Sequence, residues 1–166
     1  MGIAVAFMKT PVGELTIVES DDALVEIHFG HRDVDLPRRA RALAATQLEE
    51  YFAGKRREFD LTLAPRGTGF QLSVWSALRD IGYGQTKTYA DIARVIGRPS
   101  AIRAVGAANG ANPIPIVIPC HRVIGSNGSL TGFGGGIGMK RRLLDFESGA
   151  LEFAWSAHDR TDSSHA

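Results

Sequence analysis

The chain holds one cysteine, Cys120, in the run Ile116-Val117-Ile118-Pro119-Cys120-His121-Arg122-Val123. A thiolate is a strong nucleophile, and an imidazole and a guanidinium directly after the cysteine are groups that favour thiolate over thiol. The opposing reading is that a lone cysteine is a small buried hydrophobe. A proline fixing the residue at the end of an apolar run, with His-Arg following, weighs toward chemistry. No second cysteine exists for an intramolecular disulfide or a cysteine-rich zinc site, so the simplest home is a reducing compartment, the cytoplasm.

The elements around this segment have to supply its context. The net charge over 166 residues is only +1, yet it is unevenly spread. Residues 1–65 carry −3, residues 66–142 carry +8 with Asp80 and Asp91 as the only acids, and residues 143–166 carry −4. A basic block between acidic flanks is what a polyanion-binding face leaves in sequence. Cys120 lies within it. The N-terminus lacks the basic start of a signal peptide, and no stretch has the apolar length to cross a bilayer, so no membrane partner is expected.

Residues 4–9, 14–19 and 23–29 are β-prone runs broken by Pro11-Val12-Gly13 and Asp21-Asp22, the punctuation of an antiparallel meander. From 38 to 53 the period changes to that of a helix, with Leu43, Ala44, Leu48, Tyr51 and Phe52 on one face and Gly54 at its end. Residues 59–63 read as one more strand and 64–67 as a linker. Thr68 then caps a helix with the stripe Phe70, Val74, Leu78 and Ile81, Trp75 beside it, stopped by Gly82-Tyr83-Gly84. A short helix carries Tyr89, Ile92, Ala93 and Ile96 on one face. Ser100 is placed to cap another, from about 101 to 109. Two short helices joined by Gly97-Arg98-Pro99-Ser100 are a helix-turn-helix candidate. In the second, Ile102 and Val105 are expected to face the core, leaving Arg103, Gly106 and Ala107 on a small-residue face suited to a narrow groove. A turn at 125–128, a glycine loop at 131–136 and a last helix at 139–147 follow. The loop lacks the Gly-Lys-Ser/Thr ending of a phosphate-binding P-loop, so no nucleotide or other cofactor is implied.

Taken together, Pro119-Cys120-His121-Arg122-Val123, Tyr83-Gly84, Thr88-Tyr89, Arg103-Ala104-Val105-Gly106, Asn112-Pro113, Gly132-Phe133-Gly134-Gly135-Gly136 and Leu143-Leu144 up to Glu147 resemble the O6-alkylguanine-DNA alkyltransferases, in order and spacing, over residues 68–148. The resemblance implies an α+β protein: an N-terminal domain at 1–65 with a small antiparallel sheet and helix, a mostly helical, winged-helix-like domain with a helix-turn-helix at 66–150, and a polar tail at 151–166. It implies direct reversal of alkylation damage in double-stranded DNA, acting as a monomer, with the damaged base flipped out and its alkyl group moved irreversibly from guanine O6 (O4-alkylthymine being a further substrate class) to Cys120.

By the same resemblance His121 is the base acting through a water, Glu147 orients it, Tyr89 donates to guanine N3, and Asn112 holds the active-site turn. Arg103, with Ala104, Gly106 and Ala107, meets DNA, Arg103 filling the gap left by the flipped base. Val123, Phe133 and Gly134 line the base pocket, the first and last by backbone groups. Arg122 reads as a buried ion-pair partner. Phe133 stands where many relatives have tyrosine and Gly134 where some have serine. No metal site is implied. Two rivals stay open: a lesion sensor that binds without reacting, and a Cys-His hydrolase, which would have no need of the helix pair.

Overall fold

The computed structural model describes residues 2–153; of the tail expected at 151–166, all beyond 153 lies outside them. The described residues divide into two compact units, residues 2–65 with 152–153, and residues 66–151.

In the first unit, β1 (Ile3–Thr10), β2 (Gly13–Ser20) and β3 (Ala23–Phe29) form an antiparallel meander in that order. The second turn holds Asp21 and Asp22 at positive φ, 50° and 68°, the conformation that matches the twist of a two-residue hairpin. Val5, Val18 and Val25 bury one face with Val34 and Leu36 against them, while Ala6, Met8, Leu15, Ile17 and Ile27 are buried as well. The helix α1 (Ala45–Phe52) packs against β1 and contributes Leu48, Tyr51 and Phe52. Fully burying each aromatic is worth roughly 1.5–3 kcal/mol.

Two expectations fail here for non-local reasons. The helix does not begin at 38. Pro37 and Arg39 pair with the backbone of Val5 instead, and the buried Glu19 carboxylate accepts from the N–H groups of Leu43 (3.1 Å) and Ala44 (3.3 Å) and from Arg39. Those two N–H groups lead into α1, and an acid there satisfies donors that the helix leaves orphaned. Leu43 consequently faces outward, 49% exposed. Residues 59–63 form no strand. Only Leu63 bridges to Leu24 of β3, in parallel.

The second unit is helical. Thr68 caps α2 (Gly69–Leu78) in a capping box with Gln71, and Thr88 caps α3 (Tyr89–Val95) in another with Asp91. Thr88 also belongs to β4 (Lys87–Thr88), paired in parallel with β5 (Val123–Ile124), so the cap sets the start of the helix that carries Tyr89. Thr88→Ala is expected to lower the unfolding free energy by about 1 kcal/mol, measured by denaturant titration. An unchanged midpoint would show that the β4–β5 pair alone sets this helix end.

The helices α3 and α4 (Ile102–Gly110) pack on each other and on α2, whose Trp75 donates its ring N–H to the Ala108 carbonyl at 2.8 Å. This pair is the helix-turn-helix. Ser100 does not cap α4. The cap position is Ala101, and the turn is closed by backbone bonds. Ile102 does not face the core either. It is 44% exposed, on the outside with Arg103, while Val105, Ala108 and Asn109 are buried. Phe70 is only half-buried, with the Arg98 guanidinium 5.9 Å over its ring. The last helix, α5 (Ile137–Ser148), ends at Gly149 in the left-handed conformation. The fold is α+β as expected, and among the described residues no helix is long and apolar enough to cross a membrane.

Candidate active site

The site is built by the connection from α4 to β5, where residues 114–123 are all buried. Asn112 begins it. Its side-chain oxygen accepts from the Ile114 N–H (3.0 Å), and its amide donates to the Ile118 carbonyl (2.8 Å), tying both ends of the loop together. Between them Ile116 sits at φ 73°, with the Val117 N–H donating to the Pro115 carbonyl across it. That is a γ-turn of the rarer, positive-φ kind, and a β-branched residue there is strained. Ile116 is 1% exposed, so surrounding packing holds the strain. The loop then passes through Pro119 into a single 3-10 turn, Cys120–Arg122.

Cys120 is buried, and burial pushes its thiol pKa up to about 11. The Asn112 amide, the Lys140 ammonium and the N–H groups of Cys120 and His121 oppose that rise without cancelling it. At neutral pH only about one molecule in 10⁴ would carry thiolate. The two residues after the cysteine both engage Glu147. His121, completely buried, meets Glu147 Oε2 through Nε2 at 2.8 Å. Arg122 donates to Glu147 through Nε (2.8 Å) and Nη2 (3.0 Å) and to the Ile81 carbonyl through Nη1 (2.7 Å).

Burial would lift the Glu147 carboxyl, but His121 and Arg122 together hold it well below the ordinary carboxylate range. The group is therefore an ionised acceptor, and the imidazole must place its proton on Nε2. Burial also pushes the His121 pKa below 6.5, so the ring is neutral at pH 7. A neutral ring with its N–H committed to a carboxylate leaves Nδ1 as a free base.

Sequence reasoning missed Lys140. Met139-Lys140-Arg141-Arg142 looks like a solvated basic run, yet Lys140 is completely buried beside the thiol, while Arg141 and Arg142 are exposed. Its ammonium donates to the Thr131 carbonyl at 2.9 Å and lies 5.9 Å from the Tyr89 ring centre. Burial lowers its pKa. The signal was present: Lys140, Leu143 and Glu147 fall at i, i+3 and i+7, the buried stripe of α5.

The remaining predicted residues lie as follows. Tyr89 is half-buried, its hydroxyl 3.2 Å from both the carbonyl and the hydroxyl oxygen of Thr131. Arg103, Ala104 and Ala107 are exposed on α4, whereas Gly106 is half-buried against the Tyr89 ring. Val123 is buried and its N–H is spent on the Cys120 carbonyl. Phe133 is half-buried, and Gly134 is exposed with open space where a Cβ would stand. The structure thus brings Cys120, His121, Glu147 and Asn112 into one connected set and keeps Arg103 on the outer face of the helix pair.

The two halves of the chain match separate family models. Residues 3–65 match the ribonuclease-like domain of 6-O-methylguanine DNA methyltransferase, and residues 69–149 match the DNA binding domain of the same enzyme. The methylated-DNA–protein-cysteine methyltransferase of Methanosarcina acetivorans is 45% identical over 150 residues, covering 86% of this chain and 96% of that one. The constitutive enzyme of that name from Bacillus subtilis is 45% identical over 84% of this chain and 92% of its own length. A crystal structure of Mycobacterium tuberculosis OGT in complex with DNA superposes with a TM-score of 0.85 at 44% identity, covering 90% of this chain and 95% of that one. With both halves matched and relatives this similar over nearly their full length, the chain belongs to the 6-O-methylguanine DNA methyltransferase family.

Proposed function

We infer that this protein repairs alkylated duplex DNA by moving the alkyl group from O6-alkylguanine onto Cys120, once per molecule. The observation that carries this reading is the buried set of a lone thiol, a neutral His121 and an ionised Glu147, on the unit that bears an exposed helix-turn-helix.

The chemistry follows from the protonation states. The resting group is a thiol, so proton removal belongs to the reaction itself. The thiol proton passes through a water to His121 Nδ1, and the imidazolium formed is held by Glu147. Lys140 supplies positive charge beside the sulfur as it becomes anionic. The thiolate attacks the alkyl carbon in line: a C–S bond forms, the C–O6 bond breaks, and the purine leaves with the electron pair and takes up a proton. Tyr89 donates to guanine N3 in this scheme, which requires its hydroxyl to exchange Thr131 for the base. The thioether is not hydrolysed, so the protein is spent.

A base inside a duplex cannot offer in-line approach to a buried sulfur, so it must be flipped out. Arg103, exposed on α4 among Ala104, Gly106 and Ala107, is suited to occupy the gap it leaves. Backbone groups of Val123 and Gly134 and the ring of Phe133 line the base pocket, and Asn112 holds the loop. O4-alkylthymine is a further substrate class for the same geometry. Every group named comes from residues 66–151 of one chain, which supports action as a monomer. The cytoplasm suits a reagent whose single thiol must stay reduced.

The test is an intact-protein mass spectrum after mixing with duplex DNA containing O6-methylguanine. A gain of one methyl group that maps to Cys120 and is absent from Cys120→Ser is expected. Binding without mass change would make the protein a lesion sensor instead.

A further inference from the structure

Among the described residues, two buried side-chain polar atoms have no hydrogen-bond partner: His121 Nδ1 and Asn109 Oδ1. Asn109 lies on the inner face of α4, 1% exposed. Its amide nitrogen donates to the Cys120 carbonyl at 3.4 Å. That bond sets which end of the side chain is which, since a carbonyl accepts only from the NH₂. It also ties Asn109 to the peptide joining Cys120 to His121. Because Glu147 takes the Nε2 proton, His121 Nδ1 is an acceptor too. Two buried acceptors without a donor are costly, and both belong to side chains held at the Cys120–His121 peptide. Water carries two protons and an oxygen that accepts, and a buried water commonly makes about three hydrogen bonds.

We propose that Asn109 is a positioning residue for the proton relay: its Oδ1 and His121 Nδ1 together hold one buried water, whose oxygen faces the Cys120 thiol. In this arrangement the water gives one hydrogen to Asn109 Oδ1 and the other to His121 Nδ1. With both hydrogens fixed, the directions of its two lone pairs are fixed as well, and one of them is placed to accept the thiol proton. The thiol proton moves to the water as the water's proton moves to Nδ1, so the water is regenerated and charge is conserved. Without Asn109 Oδ1 the water has one fixed hydrogen and turns about that bond, so its lone pair is no longer aimed.

The inference rests on the relay reading of the previous subsection, and its test is kept separate from methyl transfer. A high-resolution crystal structure of the wild-type protein should show one ordered water within hydrogen-bonding distance of both atoms. No water, or a separate water on each, would overturn the proposal even if every variant failed to fold. Carbamidomethylation of Cys120 by iodoacetamide, followed by mass spectrometry from pH 6 to 10.5, then tests its role without DNA. Asn109→Leu should react about tenfold more slowly at pH 7, and the deficit should vanish toward pH 10, where hydroxide removes the thiol proton directly. A loss in Asn109→Leu that is equal at every pH, or no loss, would reduce Asn109 to a strut for the Cys120 turn. A wild-type protein that never gains a methyl group would sink the alkyl-transfer reading while leaving this test intact.

Discussion

Replacing Glu147 by glutamine is expected to cost about 3–5 kcal/mol of stability and to lower the alkyl-transfer rate by on the order of 10²-fold or more, since the variant strands a buried charge and frees the base from its tether. The Glu147 carboxylate takes Nε2 of His121, and Nε and Nη2 of Arg122. A glutamine of the same shape offers one acceptor where two are needed. Its NH₂ must face either the imidazole N–H or the guanidinium, donor against donor, and Arg122 keeps a positive charge with only the Ile81 carbonyl opposite it. For a chain of this size the loss lowers the melting temperature by roughly 10 °C or more. Rates should therefore be compared well below it, by single-turnover transfer from O6-methylguanine duplex.

The acid dependence gives an independent sign. Glu147 titrates lower in the folded protein than the ordinary 4.5. Its contribution is thus fully present above that value and is lost as pH falls below it, because the unfolded chain binds the proton first. His121, also lowered, adds a loss that begins earlier, as pH falls through 6.5. The glutamine variant should lack the steeper part of the decline below 4.5 and keep a slope near 6.5. An unchanged melting temperature with an unchanged acid profile would mean that the cluster contributes nothing to folding.

What the sequence made legible was local, or carried by a motif. Hairpin punctuation at 11–13 and 21–22, and the helix cap at Thr68, sit within a few residues of the structure they specify. The same local logic misplaced the start of α1, because the segment before it is tied to Val5 of β1 and to Glu19, twenty or more positions away on β2. It misread Ser100 for a related reason: a good capping residue caps only where the backbone brings its hydroxyl to a free N–H, and the turn before α4 does not. At the site, Arg122 is the buried ion-pair partner the sequence suggested. Directly beside the thiol in the chain, Arg122 spends its charge on Glu147, 25 residues onward. Lys140, which does bear on the sulfur, sits in a basic run whose other arginines are on the surface.

Lys140→Met should separate stability from reactivity by moving them in opposite directions. A completely buried ammonium pays for desolvation, and here burial lowers its pKa while the charge on Cys120 raises it back. The same interaction, seen from the sulfur, lowers the thiol. Methionine has nearly the same length and no charge to desolvate, so the variant should be as stable as wild type or more so in denaturant titration. Its thiol, however, loses the nearest cation and its pKa must climb above about 11. Each unit of that climb means tenfold less thiolate at a fixed pH below the pKa. Alkyl transfer at pH 7.5 should therefore slow about tenfold or more, and the rate against pH should keep rising to a higher pH than in wild type. Uniform slowing at every pH would mean that Lys140 acts by tethering Thr131, which it holds at 2.9 Å. A protein that gives up stability to keep a cation beside its one nucleophile has placed function ahead of packing at this position.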